Sequence, residues 1–129
     1  VVSKLYEFAP KIDQVPIILR KENPGYAFNA LLIPWLIGAC NLVREGVSSP
    51  EEVNMCWVVN TGSVKGPIEL IDQVGLDLFY HVCTTSGDPI AQKNADFIKE
   101  QYLDKGDLGE KSGRGILFGR EKTNSRLKA

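Results

Sequence analysis

The sequence predicts an all-α fold: a helical bundle over residues 24–118, entered from a short N-terminal helix and an orphan strand and followed by a polar tail over 119–129. Three observations predict it. Apolar residues recur at helical spacing through most of the chain. Asn-Pro, Ser-Pro, Gly-Pro and Asp-Pro pairs open the segments so marked, placing a cap before a first-turn proline. Glycines at 46, 62, 75 and 106 close them, where a left-handed residue ends a helix without steric cost.

Residues 1–11 begin this order, with Val1, Leu5, Phe8 and Ile12 at helical spacing. Val15-Pro-Ile-Ile-Leu19 is β-branched and reads as a strand, which Pro16 restricts to an edge or a strand start. A lone strand cannot satisfy its own backbone groups. With Val1 in place of an initiator methionine inside an amphipathic pattern, it leads us to expect an excised piece of a longer protein. Asn23-Pro24 is expected to cap a helix of about 22 residues, roughly 33 Å, ending at Gly46. Its run from Tyr26 to Val43 is apolar nearly all round, but Asn29, Asn41 and Pro34 interrupt it and no flanking aromatics and cations anchor it. A central buried helix is therefore expected, not a membrane span.

Ser49-Pro-Glu-Glu52 spells a capping box for a helix ending at Gly62, with Val53, Cys56 and Trp57 inward. Gly66-Pro67 opens the next, with Ile68, Ile71 and Val74 inward; after Gly75 the periodicity resumes through Leu76, Phe79, Tyr80 and Cys83. Asp88-Pro89 caps a last long helix carrying Ala91, Ala95, Ile98 and Tyr102 on one stripe and ending at Gly106. Residues 107–118, rich in glycine and then apolar from Ile116 to Phe118, read as a loop that packs back on the bundle.

Composition narrows the function. With 129 residues, 43% hydrophobic and 24% charged, the chain has the make-up of one ordinary globular domain. A net charge of −1, from 15 basic and 16 acidic residues, carries no footprint of a nucleic-acid or membrane partner. Cys40, Cys56 and Cys83 are widely spaced in apolar surroundings, and His81 is the only histidine. Neither a disulfide framework nor a metal site is expected, and free thiols suit a reducing cytoplasm.

Few residues here invite chemistry. Asn29 breaks the most apolar helix one turn before Pro34. It either helps satisfy backbone groups stranded by the proline or points into a cleft and orients a ligand. Asp77 stands at i−4 from His81, a spacing that permits a dyad but is common on helix surfaces. The glycine-rich run Gly106–Gly115 is no phosphate loop, because Glu110 precedes Lys111 and a helix comes before it; Lys111 and Arg114 remain free to meet a phosphate or to be solvated. No G-x-G-x-x-G occurs, so no dinucleotide site is encoded and cofactor-binding residues are not expected.

Four stretches in order, Pro24-Gly-Tyr-Ala-Phe-Asn29-Ala-Leu-Leu-Ile-Pro34, Glu45-Gly-Val-Ser-Ser-Pro-Glu-Glu52, Gly66-Pro-Ile-Glu-Leu-Ile-Asp-Gln-Val-Gly-Leu-Asp77 and Gly109-Glu-Lys-Ser-Gly-Arg-Gly115, resemble the C-terminal domain of the 3-hydroxyacyl-CoA dehydrogenase family. Residues 1–23 resemble the last helix and strand of that family's Rossmann domain, which accounts for the orphan strand. The resemblance implies an all-helical dimerisation and substrate-binding domain, similar to the C-terminal domains of 6-phosphogluconate dehydrogenase relatives. The implied reaction is NAD-dependent oxidation of a 3-hydroxyacyl-CoA to a 3-oxoacyl-CoA, in fatty-acid or butanoate metabolism. The histidine base and its carboxylate, like the NAD site, would lie in an upstream domain.

By the same resemblance Asn29 is the catalytic residue here, positioning substrate against that base; Lys65, Gly66 and Pro67 join it in binding the 3-hydroxyacyl-CoA substrate, and the helices form a homodimer. Ala30, Lys65 and Ile116-Leu117 stand where the family usually has arginine, methionine and an aromatic pair. Two alternatives stay open: a related NAD-dependent hydroxy-acid dehydrogenase that does not use coenzyme A thioesters, and a non-catalytic helical dimerisation module.

Overall fold

A computed structural model of the chain describes residues 1–120; the tail expected over 119–129 lies, from residue 121, outside the described residues. The chain divides into two compact units, Val1–Leu31 and Leu32–Ala129. Six α-helices account for most of the described residues, and no strand occurs among them.

In the first unit, α1 (Val2–Phe8) runs into a 3-10 turn at Ala9–Ile12, which Asp13 ends in the left-handed region at φ 57°. The apolar stripe exists, but no residue of either element is buried. The strand expected over Val15–Leu19 does not form, for the reason its sequence supplies: no second strand among the described residues offers its amides a ladder. The helix expected from Asn23 starts later, because Gly25 and Tyr26 both turn left-handed, at φ 77° and 52°. Asn23 does not act as an N-cap; its Nδ2 donates to the carbonyls of Pro24 and Tyr26 at 3.0 and 3.1 Å, holding a turn. Only after that turn does α2 (Phe28–Arg44) begin.

In the second unit, α2 buries Leu36, Ile37, Ala39 and Cys40. It is thus a helix with one buried face, not buried all round, and Leu42 is 41% exposed. Gly46 ends it as expected: the Gly46 and Val47 amides turn back on the carbonyls of Val43 and Leu42, at 3.1 and 3.0 Å. In α3 (Pro50–Thr61) the Ser49 hydroxyl accepts from the Glu52 amide at 3.2 Å, but the Glu52 carboxylate takes the Ser48 hydroxyl at 2.8 Å, so only half the capping box forms. The inward face of α3 is Val53 and Asn54; Cys56 and Trp57 are exposed, Trp57 with its ring 4.6 Å from that of Trp35.

The interior is closed by α4 (Pro67–Val74), α5 (Leu76–Thr85) and α6 (Pro89–Gln101). Ile68 and Ile71, then Leu76, Phe79 and Cys83, then Ala91, Ala95 and Ile98 are buried, and Ile116 completes the cluster from the C-terminal side. Val74, expected inward, is 42% exposed; Asp72 takes the inward place instead. The last helix ends at Gln101, and a 3-10 turn over Leu103–Lys105 carries the chain to Gly106 at φ 80°. No described helix is long and apolar enough to cross a membrane.

Candidate functional site

The turn over residues 23–27 sets Asn29 in the first turn of α2, its amide bonded to the Gly25 carbonyl at 3.0 Å. Gly25 is required there twice over: its φ is +77°, and an added Cβ would lie 3.1 Å from Asn29 Cβ and 3.2 Å from the Ala30 amide nitrogen. Asn29 is exposed, and its carboxamide has no hydrogen-bond partner among the described residues. It does not replace the helical bond that Pro34 withholds. The group is left with two donor hydrogens and an acceptor oxygen for an external ligand.

Lys65, Gly66 and Pro67 form the corner where the chain enters α4. Gly66 and Pro67 are buried and Lys65 is exposed, its Nζ 2.8 Å from Gln73 Oε1 and 3.9 Å from Glu110 Oε1. The amides that a helix start usually offers to an anion are already used. Asn54 Oδ1, reaching across from α3, accepts from the Ile68 and Glu69 amides, each at 3.1 Å. Glu69 Oε2 accepts from the Gly66 amide at 2.9 Å and from Asn54 Nδ2 at 2.8 Å. Lys65 is the cation at this corner, exposed beside the Glu69 carboxylate that holds the Gly66 amide.

The glycine-rich loop is pinned by a residue that periodicity had not singled out. Asp72 is 1% exposed, and its carboxylate accepts the amides of Ile116, Leu117 and Phe118 at 2.7, 2.7 and 2.9 Å. Gly109 and Gly115 pass so close to Asp72 that a Cβ on either would fall 2.2 Å from one of its oxygens. Lys111 makes an ion pair with Asp77, and Lys111 holds that carboxyl below the usual carboxylate range. Asp77 is therefore engaged with Lys111, and exposed His81 uses its carbonyl for the hydroxyls of Thr84 and Thr85; no dyad is built. Arg114 is exposed and lines a crevice of about 240 Å³ with Gln101, Tyr102, Lys105, Asp107 and Arg120. In it Arg120 pairs with Asp107 at 2.9 Å and lies 5.3 Å from the centre of the Tyr102 ring.

Two more buried polar groups tie helices together. Asn94 donates to the Ile37 carbonyl at 2.9 Å and accepts from Arg44 Nε at 3.0 Å, joining α6 to α2. Cys40 and Cys83 are buried free thiols, pushed up to about 12 by burial first, and for Cys40 by the neighbouring Cys83 as well. They stay protonated and inert. No set of three metal-ligating side chains gathers among the described residues. Nor do those residues form a strand, glycine turn and helix of the kind that holds a dinucleotide.

Residues 25–118 match the model of one protein family, described as 3-hydroxyacyl-CoA dehydrogenase, C-terminal domain. A 3-hydroxybutyryl-CoA dehydrogenase of Mycobacterium tuberculosis is 31% identical over 124 residues, covering 88% of this chain and 41% of the relative. A 5-formyl-3-hydroxy-2-methylpyridine 4-carboxylate 5-dehydrogenase of Mesorhizobium japonicum is 30% identical over 90% of this chain and 39% of its own. Among solved structures, a diketoreductase studied for dual catalysis of dicarbonyl compounds superposes with a TM-score of 0.82 at 42% identity, over 88% of this chain and 40% of that one. The (S)-3-hydroxybutyryl-CoA dehydrogenase of Ralstonia eutropha does so with 0.76 at 28%, over 92% and 42%. The chain spans about two fifths of the length of these relatives. A match over 25–118, on a helical frame shared with these structures, makes the chain a member of the 3-hydroxyacyl-CoA dehydrogenase C-terminal domain family.

Proposed function

We propose that this chain is the substrate-binding and dimerisation part of an NAD-dependent 3-hydroxyacyl-CoA dehydrogenase, which oxidises a 3-hydroxyacyl-CoA to the 3-oxoacyl-CoA. The observation that carries the reading is Asn29: within the matched region, it is an exposed carboxamide with no partner among the described residues, set by a turn built around Gly25. Its Nδ2 would donate to the substrate's 3-hydroxyl oxygen and fix the direction of the hydroxyl proton, so that a base can take it as hydride leaves the carbon. Base, carboxylate and NAD site belong to protein outside this chain on this reading. Lys65 meets substrate directly, and Gly66 and Pro67 shape the surface from beneath.

Apolar side chains left in solvent, Val59 at 71% and Leu78 at 50% among them, support a homodimer through the helical unit. Three free thiols support a reducing compartment such as the cytoplasm. The test uses the protein expressed from its whole gene: NADH formation with 3-hydroxybutyryl-CoA, for wild type and Asn29→Ala. Turnover should fall about a hundredfold in the variant with KM for NAD unchanged. Equal turnover by both would return Asn29 to a structural role.

A second reading rests on one observation: at 42%, the identity to the diketoreductase exceeds the 28% to the Ralstonia eutropha enzyme. On it, the substrate is a free dicarbonyl or hydroxy acid without coenzyme A. Running thioesters and the corresponding free acids side by side separates the two, since only one series should show saturation below millimolar concentration.

A further inference from the structure

The corner at Lys65-Gly66-Pro67 is shaped from a different helix. Asn54 on α3 is 8% exposed, and its carboxamide makes three bonds to the start of α4: two accepted by Oδ1 from the Ile68 and Glu69 amides and one donated by Nδ2 to Glu69. It does for α4 what an N-cap side chain does, but in trans, because residue 66, the N-cap by position, has no side chain. Gly66 is not there for its backbone angle: φ is −93°, open to any residue. It is there for space, since a Cβ would lie 2.3 Å from Asn54 Oδ1 and 2.7 Å from the Asn54 carbonyl oxygen. Glycine at 66 and asparagine at 54 are thus one device, a side chain seated where another side chain has been left out.

We propose that Asn54 is a positioning residue: by capping α4 from α3 it fixes the path of residues 65–67 and so the point from which Lys65 meets substrate. The inference rests on the functional reading above only in that this corner meets substrate. Asn54 itself does not touch it. Its oxygen is the essential atom, so aspartate, which keeps an acceptor for both amides, is a partial replacement, and alanine is none.

The test compares Asn54→Ala, Asn54→Asp and Gly66→Ala in the protein expressed from its whole gene. Asn54→Ala should raise KM for 3-hydroxybutyryl-CoA about tenfold without changing KM for NAD, and Asn54→Asp should raise it less than about threefold. Gly66→Ala, which pushes Asn54 off its seat, should match Asn54→Ala, and the double variant should be no worse than either single one. A general loss of folded protein would lower the amount of active enzyme and leave KM where it was. Unchanged KM in Asn54→Ala, or equal damage from aspartate and alanine, overturns the proposal. If the wild type oxidises neither thioester nor free acid, the functional reading fails by itself, and amide exchange decides the positioning role. Faster exchange at Ile68 and Glu69 in Asn54→Ala, with the α5 and α6 amides unchanged, upholds it; unchanged protection at those two amides overturns it. Should Asn54→Ala not fold, Gly66→Ala read against Asn54→Asp answers the same question.

Discussion

The two compact units treat the same residue types in opposite ways. In the second unit, Asn54, Asp72 and Asn94 are buried and bonded, and no buried side-chain nitrogen or oxygen among the described residues lacks a partner. In the first, Leu5 at 61%, Ile17 at 73% and Phe8 at 51% lie in solvent, and the Asn29 carboxamide has no described partner. The second unit has turned three polar groups inward to hold helices; in the first no residue is buried. A buried group with every valence filled can support a site, but only a group with valences to spare can bind.

Several measurements would break or sharpen that contrast. The largest effect should appear at the thiols of the second unit and tests whether its interior is closed: burial pushes Cys40 and Cys83 up to about 12, so at pH 8 roughly one in ten thousand is a thiolate, whereas Cys56 is exposed. A native sample should therefore give one fast-reacting thiol with an aromatic disulfide reagent and three after denaturation; three at once would mean that the interior is open. Next comes Asp72→Ala, which orphans the amides of residues 116–118 and should lower stability by about 3–5 kcal/mol, read from urea unfolding. Asn94→Leu removes the partner of the Ile37 carbonyl and of Arg44 and should lower it by about 2 kcal/mol, seen as a lower midpoint with an unchanged slope. Smallest is Asn29→Ala, expected within about 0.5 kcal/mol of wild type. A loss as large as that at Asn94 would show that the carboxamide is structural after all.

The helical frame was legible because its signals are local. Ser49 and Asp88 cap their helices, Gly46, Gly62 and Gly106 turn left-handed where stops were expected, and Ile68, Ile71, Ala91, Ala95 and Ile98 are buried as their spacing foretold. What escaped was polar and distant. Asp72 binds amides 44–46 residues away, and Asn94 a carbonyl 57 residues away, separations that no window of sequence contains. A faint signal existed: Asp72 follows Ile71 and lies four residues past Ile68, on the stripe that is otherwise apolar, and Asn94 sits between Ala91 and Ala95 in the same way. A polar residue in phase with the core is a residue with a remote partner. The start of α2 was misplaced for the opposite reason, since Asn-Pro reads as a cap, while the left-handed Tyr26 is a conformation that its side chain does not announce. Of the candidate site, Asn29 was visible as an interruption in an apolar run, but Asn54 was not, because capping in trans leaves no motif.

The Asp72 carboxylate also bears on when the bundle can be finished during synthesis. Its three donors are the amides of residues 116, 117 and 118, so a chain emerging from the ribosome can assemble α2 through α6 and still hold a desolvating carboxylate with nothing to receive. Until residue 118 is clear, that charge favours keeping the Ile68–Ile71 side of α4 wet. The interior should therefore close last from its C-terminal end, and a chain ended between residues 101 and 116 should be helical but unsealed, with far-UV circular dichroism retained and cooperative urea unfolding lost.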